Sequence, residues 1–249
     1  MTRRHASAAL IALSALVPLP ALAAVEAGPP RQAIQFAKGA SSAQLRGAIK
    51  GGGDVDYTVG ARAGQMLEVK LQSSNTALYF NINPPGSANV SMFIGNLQGA
   101  KAKVMLPADG SYVVRVYLMR SAARRHERAS YTLDVAVTGQ ALAPLPAAQD
   151  AQVTGTPFHA TATVPCQTPG AETGASCKAG VIRRGRDGTA TVELRGANGL
   201  VRQVLFVKGQ AVASDSAQPM ISSRQGDLVT VRFGSDERYE VPDALLTGG

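Results

Sequence analysis

Residues 111–137 read SYVVRVYLMRSAARRHERASYTLDVAV, and within them Arg120, Arg124, Arg125 and Arg128 crowd around His126 and Glu127, a net charge of about +3. The chemistry open to such a cluster is recognition of anions. A guanidinium is a planar fork that pairs two-pronged with a carboxylate, and such charge-assisted bonds are about twice as strong as neutral ones. The plainer reading is a solvated loop whose arginines keep it soluble. The flanking residues argue for a rigid support. Tyr112, Val114, Val116 and Leu118 share one face, with Arg115 and Tyr117 on the other, and Tyr131, Leu133, Val135 and Val137 repeat the alternation. This periodicity predicts two strands. The stretch is therefore expected to be a hairpin with an arginine-rich tip, shaped to meet an acidic surface or pocket.

Catalytic readings find few residues to use. A Ser or Cys nucleophile needs a base, and beyond the first residues the chain has only His126 and His159. No nucleophile elbow, phosphate-binding loop or paired-His metal motif is present. Glu127 has arginines on both sides, which lowers its pKa and suits it poorly to act as a general acid. Asp54 and Asp56 have the alternate spacing of calcium ligands, but such sites want six or more oxygens and nothing nearby supplies them. No enzyme, metal or cofactor is expected.

The first residues have the pattern of a signal peptide, 1–23. Arg3 and Arg4 form a basic start, residues 8–17 are apolar, Pro18 and Pro20 break the run, and Ala21, Leu22 and Ala23 suit cleavage before Ala24. A periplasmic or secreted protein is expected. No Cys stands at the cleavage site to carry a lipid, and no later run approaches the ~20 apolar residues of a membrane span, so no stable membrane insertion is expected. Without Arg3 and Arg4, 23 basic and 17 acidic residues remain, about +6. In an exported chain whose aromatic and basic residues do not interleave, that balance points to anionic envelope polymers or acidic protein clefts, not to nucleic acid. Cys166 and Cys177, the only cysteines, are expected to form a disulfide.

The elements that must position these residues are short strands. With 26 Gly, 14 Pro, no Trp and 45% apolar residues, the composition is that of an all-β, turn-rich chain. Seven or eight strands are predicted within residues 34–139, the spacing of an antiparallel β-sandwich. Residues 140–155, with Ala-Leu-Ala-Pro-Leu-Pro-Ala-Ala, read as a semi-extended linker. Residues 156–249 are expected to form a second small β-rich domain. Its predicted strands are 158–164, 179–183, 189–194, 201–207, 228–233 and 238–241, with a hairpin turn at Asn198-Gly199. Arg183, Arg184 and Arg186 before Asp187-Gly188, and Asp236 to Arg238, read as polar turns.

Three segments carry a family resemblance: Ser74-Asn75-x-x-x-Tyr79-Phe80-Asn81, Pro107-Ala108-Asp109-Gly110-x-Tyr112, and Arg115-Val116-Tyr117-Leu118-Met119-Arg120-x-x-Ala123-Arg124-Arg125-x-Glu127-x-Ala129-x-Tyr131-x-Leu133. Together they resemble the periplasmic inhibitors of goose-type (g-type) lysozyme over residues 35–138. The resemblance implies a β-sandwich similar to pre-peptidase C-terminal domains, inserting loops into the lysozyme cleft. It implies that g-type lysozyme is the partner and that Arg115, Arg120, Arg124 and the turn from Ser74 to Tyr79 are contacts. Asn75, Tyr117 and Arg125 complete the expected binding set, although the strand position of Arg115 also suits a structural role. Residues 155–249 lie outside the resemblance. The alternative function is an envelope adhesion or glycan-binding module that holds peptidoglycan or an anionic wall polymer without inhibiting an enzyme.

Overall fold

Alternation of apolar and polar residues accounts for nearly every strand. The computed structural model describes residues 29–87, 90–171 and 174–248, so the expected signal peptide and its cleavage site lie outside the described residues. The first part of the chain contains β1 (Arg31–Ala33), β2 (Ser42–Lys50), β3 (Val55–Ala61), β4 (Met66–Ser73), β5 (Leu78–Asn83) and β6 (Phe93–Ile94). A helical turn α1 (Gly95–Gln98) follows, then β7 (Lys101–Met105), β8 (Gly110–Leu118), a second turn α2 (Arg120–Arg124) and β9 (Arg128–Thr138). One sheet has the order β1-β3-β8-β5-β6 and the other β2-β9-β4-β7, antiparallel apart from the β1 and β3 pair. Their inner faces bury Tyr57, Phe80, Ile82, Tyr112, Val114, Leu67, Leu133 and Val135 in a single core. Sheet-on-sheet burial of this kind is what a period-two pattern requires. The core has a polar pair inside it: the hydroxyls of Tyr57 and Tyr131 meet at 2.8 Å. Tyr131 finds room because Gly47 lies opposite it, where a Cβ would stand 2.5 Å from the ring.

The expected hairpin is corrected. β8 pairs with β3 and β5 whereas β9 pairs with β2 and β4, so the two strands lie in opposite sheets. The basic stretch between them is an arch over the end of the sandwich. Alternation alone does not distinguish a hairpin from an arch, because both keep the same residues facing the core. β6 is short because it gives way to α1 at Gly95. A Cβ on Gly95 would come 2.3 Å from the Phe80 carbonyl oxygen.

The second part contains β10 (Ala160–Gln167), β11 (Ser176–Arg183), β12 (Ala190–Arg195), β13 (Val201–Val207) and β14 (Gln210–Ser214). It continues with β15 (Met220–Gln225), β16 (Leu228–Phe233), β17 (Glu237–Pro242) and a helical turn α3 (Asp243–Thr247). Eight strands form one sheet in the order β14-β13-β12-β11-β10-β17-β16-β15. The sheet curls around Val181, Val192, Val204, Phe206, Val231, Phe233, Tyr239 and Leu246. Its two edges approach each other, and Arg224 on β15 donates to the Gly209 carbonyl beside β14 at 2.6 Å. Cys166 and Cys177 are disulfide-bonded across β10 and β11, as expected. Among the described residues no helix is long and apolar enough to cross a membrane.

Arg183 and Arg184 are not in a solvated turn. They are 7% and 8% exposed, and Arg184 joins the two parts of the chain. Arg184 donates through Nη1 to both carboxylate oxygens of Asp109 at 3.2 Å and to the Leu142 carbonyl, and through Nε to Thr191 Oγ1 at 2.9 Å. Thr191 in turn donates to the Pro107 carbonyl at 2.7 Å. Beside this cluster Ala63, Leu205 and Ala213 are buried together, with Met105, Leu142 and Val207 packed against them. Arg183 holds Asp150 at 2.9 Å and the Leu245 carbonyl at 3.1 Å. Glu237, expected in a polar turn, is likewise buried, gripped two-pronged by Arg202 at 2.7 and 2.9 Å.

Candidate functional site

The arch is built from its one buried residue outward. Ala122 is fully buried beneath α2, which lets the helical turn lie flat on the end of the sandwich, while Arg120, Arg124 and Arg125 remain exposed. The Ala123 amide closes the turn on the Met119 carbonyl at 2.9 Å, and the amides of Arg125 and Glu127 both return to the Ala122 carbonyl. His126 takes a left-handed φ of 54°, a conformation uncommon outside glycine, to turn the chain back toward β9.

The turn containing Ser74 and Asn75 is tied to this arch. Asn75 Nδ2 donates to Glu127 Oε2 at 2.8 Å and to the Arg128 carbonyl at 3.2 Å. The Ser74 amide donates to the Ser130 carbonyl, and the Ser130 amide donates to Ser74 Oγ, each at 3.0 Å. Arg125 Nε binds Glu127 Oε1 at 2.8 Å. These bonds from Asn75 and Arg125 hold the Glu127 carboxyl below its ordinary pKa, the direction expected from its neighbours. Arg125 is thus committed to Glu127, whereas among the described residues Arg120 and Arg124 make no ion pair.

A second group lies on the outer face of the five-stranded sheet. Arg115 is in register with Asp56 on one side and Asn81 on the other, and Tyr117 with Tyr79. Arg115 grips Asp56 through Nε at 2.7 Å and Nη2 at 2.9 Å, and Arg31 approaches the same carboxylate at 3.8 Å. Asp56 is fully buried and Arg115 is 29% exposed, so the guanidinium is fixed in place with one edge open. The Tyr117 hydroxyl lies 3.3 Å from Asn81 and 3.1 Å from Asn96 oxygens, and partial burial pushes its pKa up. The rings of Tyr79 and Tyr117 are tilted, 6.4 Å apart. Phe80, by contrast, is wholly in the core.

The expected contacts therefore separate into two groups. Ser74, Asn75, Arg120, Arg124 and Arg125 share the arch, while Tyr79, Arg115 and Tyr117 share the adjoining sheet face. Asp56, Asn81 and Asn96 were not in the expected set. Asp56 carried a signal, an acidic residue at an outward strand position, but its partner depends on which strand lies beside it. Among the described residues no group of three or more His, Cys, Asp or Glu side chains is arranged to hold a metal ion. Both ring nitrogens of His159 are engaged, Nδ1 accepting from the Arg183 amide at 2.9 Å and Nε2 facing the Leu145 carbonyl at 3.1 Å.

No protein-family model matches the sequence. Among curated proteins the chain is similar to the inhibitor of g-type lysozyme of Escherichia coli K12, 32% identical over 105 residues, which make up 42% of this chain and 78% of that relative. Among solved structures it is similar to Aeromonas hydrophila PliG, a periplasmic inhibitor of g-type lysozyme. The identity is 35%, over 44% of this chain and 96% of that one, with a TM-score of 0.39. It is also similar to Salmonella Typhimurium PliG, with 28% identity over 44% of this chain and 98% of that one and a TM-score of 0.35.

Proposed function

The chain belongs to the family of inhibitors of g-type lysozyme, and from that premise we propose that it inhibits such an enzyme in the periplasm by presenting its arginine arch to the active-site cleft. The observation that carries the mechanism is the union of arch and neighbouring turn. Asn75 and Glu127 join them into one platform, and Arg120 and Arg124 stand on it with no carboxylate partner among the described residues. With the backbone already ordered, only side-chain rotamer entropy is lost when these guanidiniums meet an acid. A glycan-cleaving cleft depends on its carboxyl groups, so an arginine seated there blocks substrate and neutralises the acid. Tyr79, Tyr117 and the open edge of Arg115 extend the same contact along the sheet.

The test is lysis of a sensitive cell suspension by g-type and, separately, chicken-type lysozyme, each with and without the chain from Ala24 onward. Protection against the g-type enzyme is expected. Replacing Arg120 and Arg124 with Ala together should weaken inhibition by about 2–5 kcal/mol, the range for truncating desolvated charge contacts. Undiminished inhibition by a folded double variant would remove the arch from the mechanism.

A further inference from the structure

The four-stranded sheet turns its outer face to solvent, and the charges on that face are arranged in a way that folding alone does not favour. Lys70 on β4 is directly opposite Lys101 on β7, and Lys50 on β2 is directly opposite Arg128 on β9. All four are exposed. Like charges facing each other across a ladder are destabilising. Counting Arg46 and Lys103 as well, six cations share the face with two carboxylates, Glu68 and Asp134. Glu68 is taken by Lys103 at 2.9 Å, and Asp134, in register with Lys70, accepts from Gln44 at 2.7 Å. Among the described residues Arg46, Lys50, Lys70, Lys101 and Arg128 make no ion pair.

These cations are spread out. From the row of Asp134 to that of Arg128 is six residues along β9, roughly 20 Å. Between them lie short hydrogen-bonding side chains, Ser130, Thr132 and Gln72, and near Lys70 and Lys101 the face dips into a shallow open depression of about 620 Å³. Separated point charges with hydroxyls and amides between them suit a flexible chain that carries an anion at intervals and offers hydroxyls of its own. Lysine predominates, and lysine does not demand the two-pronged geometry of a single bound anion. We infer that this face is a second binding surface, for a linear acidic polysaccharide with repeating sugar carboxylates.

The experiment uses the chain from Ala24 onward and immobilised polygalacturonate, with dextran as the neutral control and polyphosphate as the phosphate control. Retention on polygalacturonate at low salt, lost as salt rises and absent on dextran, is expected. Lys70→Gln with Lys101→Gln should weaken that retention about 3- to 30-fold, the effect of two exposed charge contacts. The same double variant should unfold at a slightly higher temperature, because the facing repulsion is gone, and it should still inhibit lysozyme fully. Binding unaffected by the double substitution, no binding at low salt, or binding to polyphosphate alone would each overturn the proposal.

Discussion

Asp56 and Arg115 show how much one residue's role depends on a neighbour that is remote in sequence. The carboxylate is fully buried and receives both prongs of a guanidinium that is itself partly in water. Asp56→Ala should therefore cost about 1–3 kcal/mol, less than a wholly buried pair because solvent recovers part of the arginine's charge. Urea denaturation of the variant measures it. The outward position of both residues was legible in the alternation of β3 and β8. Their pairing was not, since it follows from strand order, and Asp56 read instead as half of a weak calcium pattern. Arg183 and Arg184 failed for a related reason. A run of arginines beside Asp187-Gly188 looks the same whether water or a second sheet surrounds it.

Secondary structure was most legible where one face is buried. β13 coincides with its expected span, 201–207, because Val204, Leu205, Phe206 and Val207 form a strand-favouring apolar run, and β4 forms where Leu67, Val69 and Leu71 alternate with Glu68, Lys70 and Gln72. β15 was missed because residues 221–225 are exposed on both faces and leave no pattern. β14 is a short edge strand, and α2 is too brief to show helical periodicity. The curled sheet contains a titrating cluster that follows from its topology: Arg202 on β13, Asp215 after β14 and Glu237 on β17. Glu237 claims the guanidinium two-pronged, and Asp215 shares it at 3.2 Å, so one guanidinium faces two carboxylates inside the protein. Burial pushes the Asp215 carboxyl up to about 6, against the pull of Arg202. A carboxyl that holds its proton more tightly folded than unfolded favours the fold when protonated. That contribution is present below pH 4 and is lost as pH rises toward 6 and beyond. Asp215→Asn should flatten this dependence. Measured against wild type, its relative stability should rise between pH 4 and 7 by about 2–3 kcal/mol, read from thermal unfolding across that range.

At the scale of the whole molecule the two sheet systems are docked, with Arg184 at the centre of the contact. Its bond to Asp109 crosses between them, as does that from Thr191 to the Pro107 carbonyl, beside the small apolar cluster of Ala63, Leu205 and Ala213. Calorimetry of the full chain should show one cooperative transition. Arg184→Met, which removes the bond to Asp109 while that half-exposed carboxylate keeps the Ala63 amide, should cost about 1–3 kcal/mol and split the transition in two. An unsplit transition at the original temperature would show that the apolar cluster suffices. None of this was legible in advance. Residues 140–155 advertise themselves as a connector by their prolines, but the side chains that fasten them lie on β11 and the turn after it.

β8 runs from Gly110, beside that docking contact, to Leu118, where the arch begins, about 27 Å away. The arch and the docked end are thus kept apart by the length of a strand. On the proposed mode of inhibition, substitutions that refit the arch to a changing lysozyme should leave residues 107–110 undisturbed, and drift in the C-terminal sheet should leave the arch undisturbed. Within one gene the two surfaces are free to follow separate selective histories, each inherited without renegotiating the other.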